Sequence, residues 1–218
     1  SAVGDLFEYV AKQAPKEYVD EAQQRDISIF ELLNEKVEHQ LPGESGLVVL
    51  DWHNGNRSVL SDSNLKGCIF GMSLQTTHEE IYRAYLEATA FGTKMIMQQY
   101  QSWNMDVEEV FACGGIPKKN PLMMDIYANV LNKKITIIDS EYAPAIGAAI
   151  LGALCGGAHS NLNQAIGAMK EPVLYEIEPT PEKVKRYKKL FSAYKELHDI
   201  HGYKKARIMR NVGKLMEV

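Results

Sequence analysis

Cysteine is scarce in this chain: three among 218 residues, at Cys68, Cys113 and Cys155, with none in a C-x-x-C pair. An odd, widely spaced set excludes a disulfide framework. Each lies among apolar or small residues, so three buried, reduced thiols of a cytosolic protein are expected. Long apolar runs are also lacking. The longest, Ala143 to Ala158, falls short of the ~20 residues a membrane span requires and is broken by glycine, so it predicts a core helix instead. Excess positive charge is absent too: 24 Lys/Arg against 28 Asp/Glu give a net charge of -4, which excludes a general nucleic-acid binder. Ser1 to Val10 carries Asp5 and Glu8 and no basic start, so no signal peptide is expected. Neither G-x-G-x-x-G nor G-x-x-x-x-G-K-[ST] occurs, which removes the usual dinucleotide and Walker fingerprints.

What is present is an ordinary globular composition. With 45% hydrophobic and 24% charged residues the chain can bury one core, and a single domain over 1–218 is expected, with 180–218 as a helical extension. The charge is uneven: residues 181–218 hold 11 Lys/Arg against 4 Asp/Glu, and the rest 13 against 24. That basic tail is interleaved with Val184, Tyr187, Leu190, Phe191, Tyr194 and Leu197 at helical spacing. It predicts an amphipathic helix docked on the domain, opened by Thr180-Pro181.

The most informative stretch is FACGGIPKKNP, Phe111 to Pro121. Val107, Val110, Phe111, Ala112 and Cys113 suit a strand buried on both faces. Gly114 and Gly115 then leave only backbone to face anything docked at the strand's end. Asn120-Pro121 opens a helix with a capping residue and proline at the first position. Strand end, glycines and helix start are how open α/β sheets hold phosphorylated ligands; two glycines making a plain tight turn is the alternative. Lys134 to Asp139 is the next strand, with Ile135, Ile137 and Ile138. The following helix carries Gly147, Ala148, Gly152 and Ala153 along one flat face, suited to packing on a sheet or presenting its first amides to an anion.

Elsewhere, Gly4 to Gln13 and Lys16 to about Gln40 read as helix, with Ile27, Phe30, Leu33 and Val37 in one stripe ended by Pro42-Gly43. Leu47 to Leu50 reads as a short buried strand and His53 to Lys66 as loop. Thr77 to Glu80 is a capping box opening a helix to about Gln101. On that helix Glu87 sits among apolar neighbours, and a buried carboxylate requires a partner. His198 and His201 are one turn apart at an expected exposed helix end, without a third ligand, so no metal site is expected. Asp51-Trp52-His53 has reactive side chains but no serine or cysteine in a triad context.

LDWHNGNRSVL (50–60), LEATAFGTK (86–94), ACGGIPKKNP (112–121), APAIGAAI (143–150) and TPEKVKRYKKLFSAYKELHDIHG (180–202) together resemble the FGGY family of carbohydrate kinases, and within it the branch that acts on L-ribulose. The resemblance runs from SAVGDLF (1–7) to the closing helix. It implies an α/β fold: part of an actin-like, ribonuclease H-like lobe, helix-rich, with a small truncated sheet. It implies ATP and Mg2+ as cofactors, with the metal held largely by the phosphates and the other lobe. Gly114 and Gly115 would approach the phosphates and ribose, Ile116, Lys119 and Asn120 would border the adenosine, and Gly55 would lie beside the cleft with Asn54 and Arg57.

In the family, the sugar lobe, the catalytic aspartate and a phosphate hairpin precede the segment that SAVGDLF matches. No catalytic residue is therefore expected in this chain, which by itself should be inactive and would meet L-ribulose only through the missing lobe. Strands near Val110 and Ile135 would lack sheet neighbours, so self-association is expected, with no nucleic-acid or membrane partner. Two positions depart from the wider pattern: Asp125 where glutamine is frequent, and Asn129 where aspartate is frequent. A non-catalytic helical binding or scaffold domain is the alternative reading.

Overall fold

The computed structural model describes residues 3–214; Ser1, Ala2 and the last four residues of the expected 180–218 extension lie outside the described residues. Three short helices come first: α1 (Val3–Ala11), α2 (Lys16–Gln24) and α3 (Ile29–Val37). The last two were expected as one. The chain breaks at Asp26, whose φ of 53° is left-handed, and Ser28 restarts the helix by accepting the Glu31 N–H at 3.1 Å. Leu33 and Val37 of the expected stripe are buried, whereas Phe30 is about one third exposed and Ile27 half-buried.

Strand β1 (Val48–Leu50) is fully buried and pairs antiparallel with β2 (Cys68–Phe70), joined by the 51–67 loop. Then comes α4 (His78–Ser102), held at its start by the expected capping box: Glu80 N–H to Thr77 Oγ1 at 3.4 Å and Thr77 N–H to the Glu80 carboxylate at 2.9 Å. Its run from Tyr82 to Phe91 is buried on every face, because α1, α3, β1, α6 and α9 surround it. Burying one such side chain as Leu86 contributes roughly 1.5–3 kcal/mol.

The second sheet has the order β3 (Val110–Ala112), β4 (Ile135–Ile138), β5 (Val173–Ile177), with β3 parallel to β4 and β5 antiparallel. Between β3 and β4 run a short helix α5 (Gly115–Lys119) and α6 (Pro121–Leu131). Its two faces differ. Val110, Ala112, Ile135, Ile137, Tyr175 and Ile177 pack against the core, while Phe111 on the opposite face is 59% exposed and pairs with Thr136. The strand at Phe111 is thus half-buried, not buried on both faces. Ile135's strand, expected to lack a neighbour, lies between β3 and β5.

The small-residue helix α7 (Ala143–Cys155) has no buried residue and packs chiefly against α8 (Leu162–Met169). It is not a core helix. For the same reason Cys155 is exposed, as is Cys113, while Cys68 is half-buried, so the three thiols are not uniformly interior. The closing helix α9 (Pro181–Asp199) docks as expected through Tyr187, Phe191, Tyr194 and His198. It passes through one π-helical turn at 200–204 into α10 (Ala206–Lys214). His198, expected at an exposed end, is fully buried. Among the described residues no helix is long and apolar enough to cross a membrane.

Candidate functional site

The parallel strands β3 and β4 end side by side. The Gly114 N–H donates to the Ser140 carbonyl at 2.8 Å, closing the two strand ends together. Gly114 has φ +99°, a conformation that favours glycine. A Cβ built on Gly114 or Gly115 would meet nothing within 4 Å, so the backbone lies open. Gly114 to Asn120 form one continuous segment, bringing five of the six expected site residues together. Within it Ile116 packs against the core, Lys119 is exposed, and Asn120 turns inward. The Asn120 Oδ1 accepts from the Met123 N–H at 2.9 Å, and its Nδ2 donates to the Tyr82 hydroxyl at 3.4 Å. Asn120 therefore caps α6.

Two partners of this segment carried no sequence signal. Lys118 Nζ lies 2.7 Å from the Asp139 carboxylate and 3.8 Å from that of Glu141, which together raise its pKa. The Tyr175 hydroxyl donates to the Pro117 carbonyl at 2.5 Å, fixing α5 to β5. The Tyr175 contact was not legible because β5 lies about sixty residues downstream, and the Lys118 pair because it forms only once the ends of β3 and β4 adjoin.

The sixth residue, Gly55, lies apart, in the loop after β1. Its φ is +76°, and a Cβ there would come within 2.5 Å of the Ser63 Cα, so the glycine shapes this loop. Asn56 braces the loop by accepting the Leu60 N–H at 3.0 Å, and its backbone bridges to Asp62. Gly55, Asn56 and Arg57 line a cavity of about 190 Å³ with Asp51 and Trp52, and none of 114–120 does. Burial raises the Asp51 carboxyl to about 6. His53 Nε2 meets the Tyr85 hydroxyl at 3.0 Å.

Glu87 has the partners its burial requires. Its carboxylate lies 3.2 Å from Arg83 Nε and accepts from the Tyr187 hydroxyl at 3.1 Å, while Arg83 Nη1 donates to the Val37 carbonyl at 2.7 Å. Burial pushes the Glu87 pKa up against the pull of Arg83. The network joins α3, α4 and α9 rather than the glycine turn.

The model of the FGGY family of carbohydrate kinases, C-terminal domain, matches residues 1–155. The chain belongs to the FGGY carbohydrate kinases. The ribulokinase of Staphylococcus aureus strain Newman is 76% identical over 215 residues, covering 99% of this chain and 39% of the relative. The chain thus spans about two fifths of the curated relatives it matches. Among solved structures, the xylulose kinase of Rhodospirillum rubrum superposes with a TM-score of 0.76 at 24% identity, over 91% of this chain and 38% of that one. The ligand-bound xylulose kinase of Lactobacillus acidophilus gives 0.76 at 18% identity, over 94% and 39%. The fold of this FGGY chain is accordingly the actin-like, ribonuclease H-like one, helix-rich with small sheets.

Proposed function

We propose that this chain is the nucleotide-binding portion of an L-ribulokinase, an enzyme that transfers the γ-phosphoryl of MgATP to L-ribulose, giving L-ribulose 5-phosphate in L-arabinose breakdown. The observation that carries this reading is the bare backbone at Gly114 and Gly115, at the adjoining ends of two parallel strands, in a chain 76% identical to a ribulokinase. Phosphoryl transfer depends mainly on positioning and charge neutralisation. In this reading the glycine pair admits the nucleotide phosphates and ribose. Ile116 and Lys119 border the adenosine, Asn120 holds the first turn of α6 in place, and Gly55 keeps the 53–60 loop in shape beside the cleft. Magnesium arrives with the nucleotide. The catalytic base and sugar site belong to the other lobe, so the chain by itself is inactive. Self-association through the β3 edge belongs to the same reading.

The test joins this chain to the part of the Staphylococcus aureus ribulokinase that lies outside the match. The fusion should phosphorylate L-ribulose from MgATP, and residues 1–218 alone should give none. Turnover by the chain alone would overturn the division of labour. A folded fusion that neither binds ATP nor turns over would favour a scaffold role.

A further inference from the structure

The cavity of about 190 Å³ beneath the 53–60 loop is walled by Trp52, Tyr194 and His198, together with Asp51, Gly92 and Thr93. Trp52 is 2% exposed, and Tyr194 and His198 are fully buried. Yet Trp52 Nε1, the Tyr194 hydroxyl and His198 Nε2 have no hydrogen-bond partner among the described residues. A buried polar atom left unpaired is costly, because it has given up its bond to water. Three around one cavity point to an occupant. The Tyr194 hydroxyl lies 4.0 Å from where a Cβ on Gly92 would stand, which directs it to the cavity wall that Gly92 forms.

The three atoms have complementary chemistry. The indole N–H of Trp52 only donates. His198 Nδ1 faces a carboxylate oxygen of Asp199 at 3.1 Å, an acceptor, so the ring proton sits on Nδ1 and Nε2 is left as an acceptor. The Tyr194 hydroxyl serves either way. A single O–H group can therefore accept from Trp52, donate to His198 and complete its set with Tyr194. We propose that the cavity is a hydroxyl-binding site, where one O–H joins Trp52, Tyr194 and His198 and comes either from internal water or from a small neutral polyol. At ~30 Å³ per water the volume admits several waters or a polyol of glycerol size. Its rings, with Tyr127 beside them, suit the C–H face of a polyol. The wall also holds the Asp51 carboxyl, which disfavours an anionic occupant. The bound oxygen ties the end of β1 to α9.

The experiment is nuclear magnetic resonance on the 15N-labelled chain, whose only two indole N–H signals come from Trp52 and the exposed Trp103. The Trp52 signal should exchange slowly and show a cross-peak to long-lived water, and His198 should carry its proton on Nδ1. Adding glycerol or ribitol distinguishes the sources. A saturable shift of the Trp52 signal with loss of the water cross-peak assigns a polyol; an unchanged signal that keeps the cross-peak assigns water. Tyr194→Phe should weaken the cross-peak between the Trp52 indole and the bound O–H, rather than only move the Trp52 signal. Should that variant not fold, the parent chain decides alone. A Trp52 indole with neither water nor polyol contact, or a His198 protonated on Nε2, overturns the proposal.

Discussion

Asn129 holds Thr180: its Oδ1 accepts the Thr180 backbone N–H at 2.7 Å, while its Nδ2 donates to Asp125 Oδ1 at 3.0 Å and to the Asp125 carbonyl at 2.7 Å. Asp125 in turn pairs with Lys183 at 2.8 Å. Asp125 and Asn129 thus act together, anchoring the start of α9 on α6. Thr180 makes no side-chain cap of its own; Asn129 instead satisfies the backbone N–H of Thr180 itself from a distant helix.

Asn129→Ala removes that acceptor in a fully buried position. The variant should lose about 1–3 kcal/mol of stability, read from urea unfolding, with the first loss in signals from α9. An unchanged unfolding midpoint would mean that the junction is held by apolar contacts alone.

Gly114 and Gly115 should respond differently to a side chain. Gly114 has positive φ, so Gly114→Ala carries about 1–3 kcal/mol of backbone strain. Gly115 has no such constraint and open space around it. Gly115→Val should therefore leave the unfolding midpoint of the chain nearly unchanged. In the active fusion it should raise the Michaelis constant for ATP ~10-fold or more, about 1.4 kcal/mol, with little change in that for L-ribulose. Equal effects on both substrates would show that the glycines shape the whole lobe.

Asp51 makes stability depend on pH with an unusual sign. Its carboxyl is raised by burial from 3.8 to about 6. Between those values the folded chain keeps a proton that the unfolded chain has released, so stability falls as pH rises through that window and stays lowered above it. Asp51→Asn should be more stable than the parent at pH 7 by about 1–3 kcal/mol, with the difference closing towards pH 4. His198, lowered by burial, is common to both proteins and cancels in the comparison. A difference independent of pH would refute this account of Asp51.

Phe111 lies on the open face of the sheet, on a strand whose outer edge has no strand partner among the described residues. Such edges recruit further strands. Light scattering on the chain at high micromolar concentration should give a mass above that of one copy, and Phe111→Lys should bring it down. A stable monomer in the parent chain would remove self-association from the reading.

The helices and strands with strong local signals were legible in the sequence: the Thr77 capping box, the Asn120-Pro121 start, the β-branched run at Ile135, the aromatic stripe of α9. What escaped depends on distant contacts. Strand β2 is three residues long and exists only by pairing with β1. The break at Asp26 is a single residue in left-handed conformation inside a continuous apolar stripe. The exposure of α7 contradicts its composition because small, apolar residues describe what a helix can touch, not what stands beside it. At the candidate site, the glycine turn was visible and the inward aim of Asn120 was not, because Tyr82, its second partner, comes from α4.

The seclusion of α7 and α8 has a kinetic consequence. Helix α4 is a shared wall for α1, α3, β1, α6 and α9, so its amides open only when most of the chain unfolds, whereas α7 leans chiefly on α8. Regions with few buried apolar contacts open on their own at low free energy. Deuterium should therefore enter 143–169 well before Tyr82 to Phe91, marking that helical pair as a separate folding unit that the rest of the domain does not hold shut.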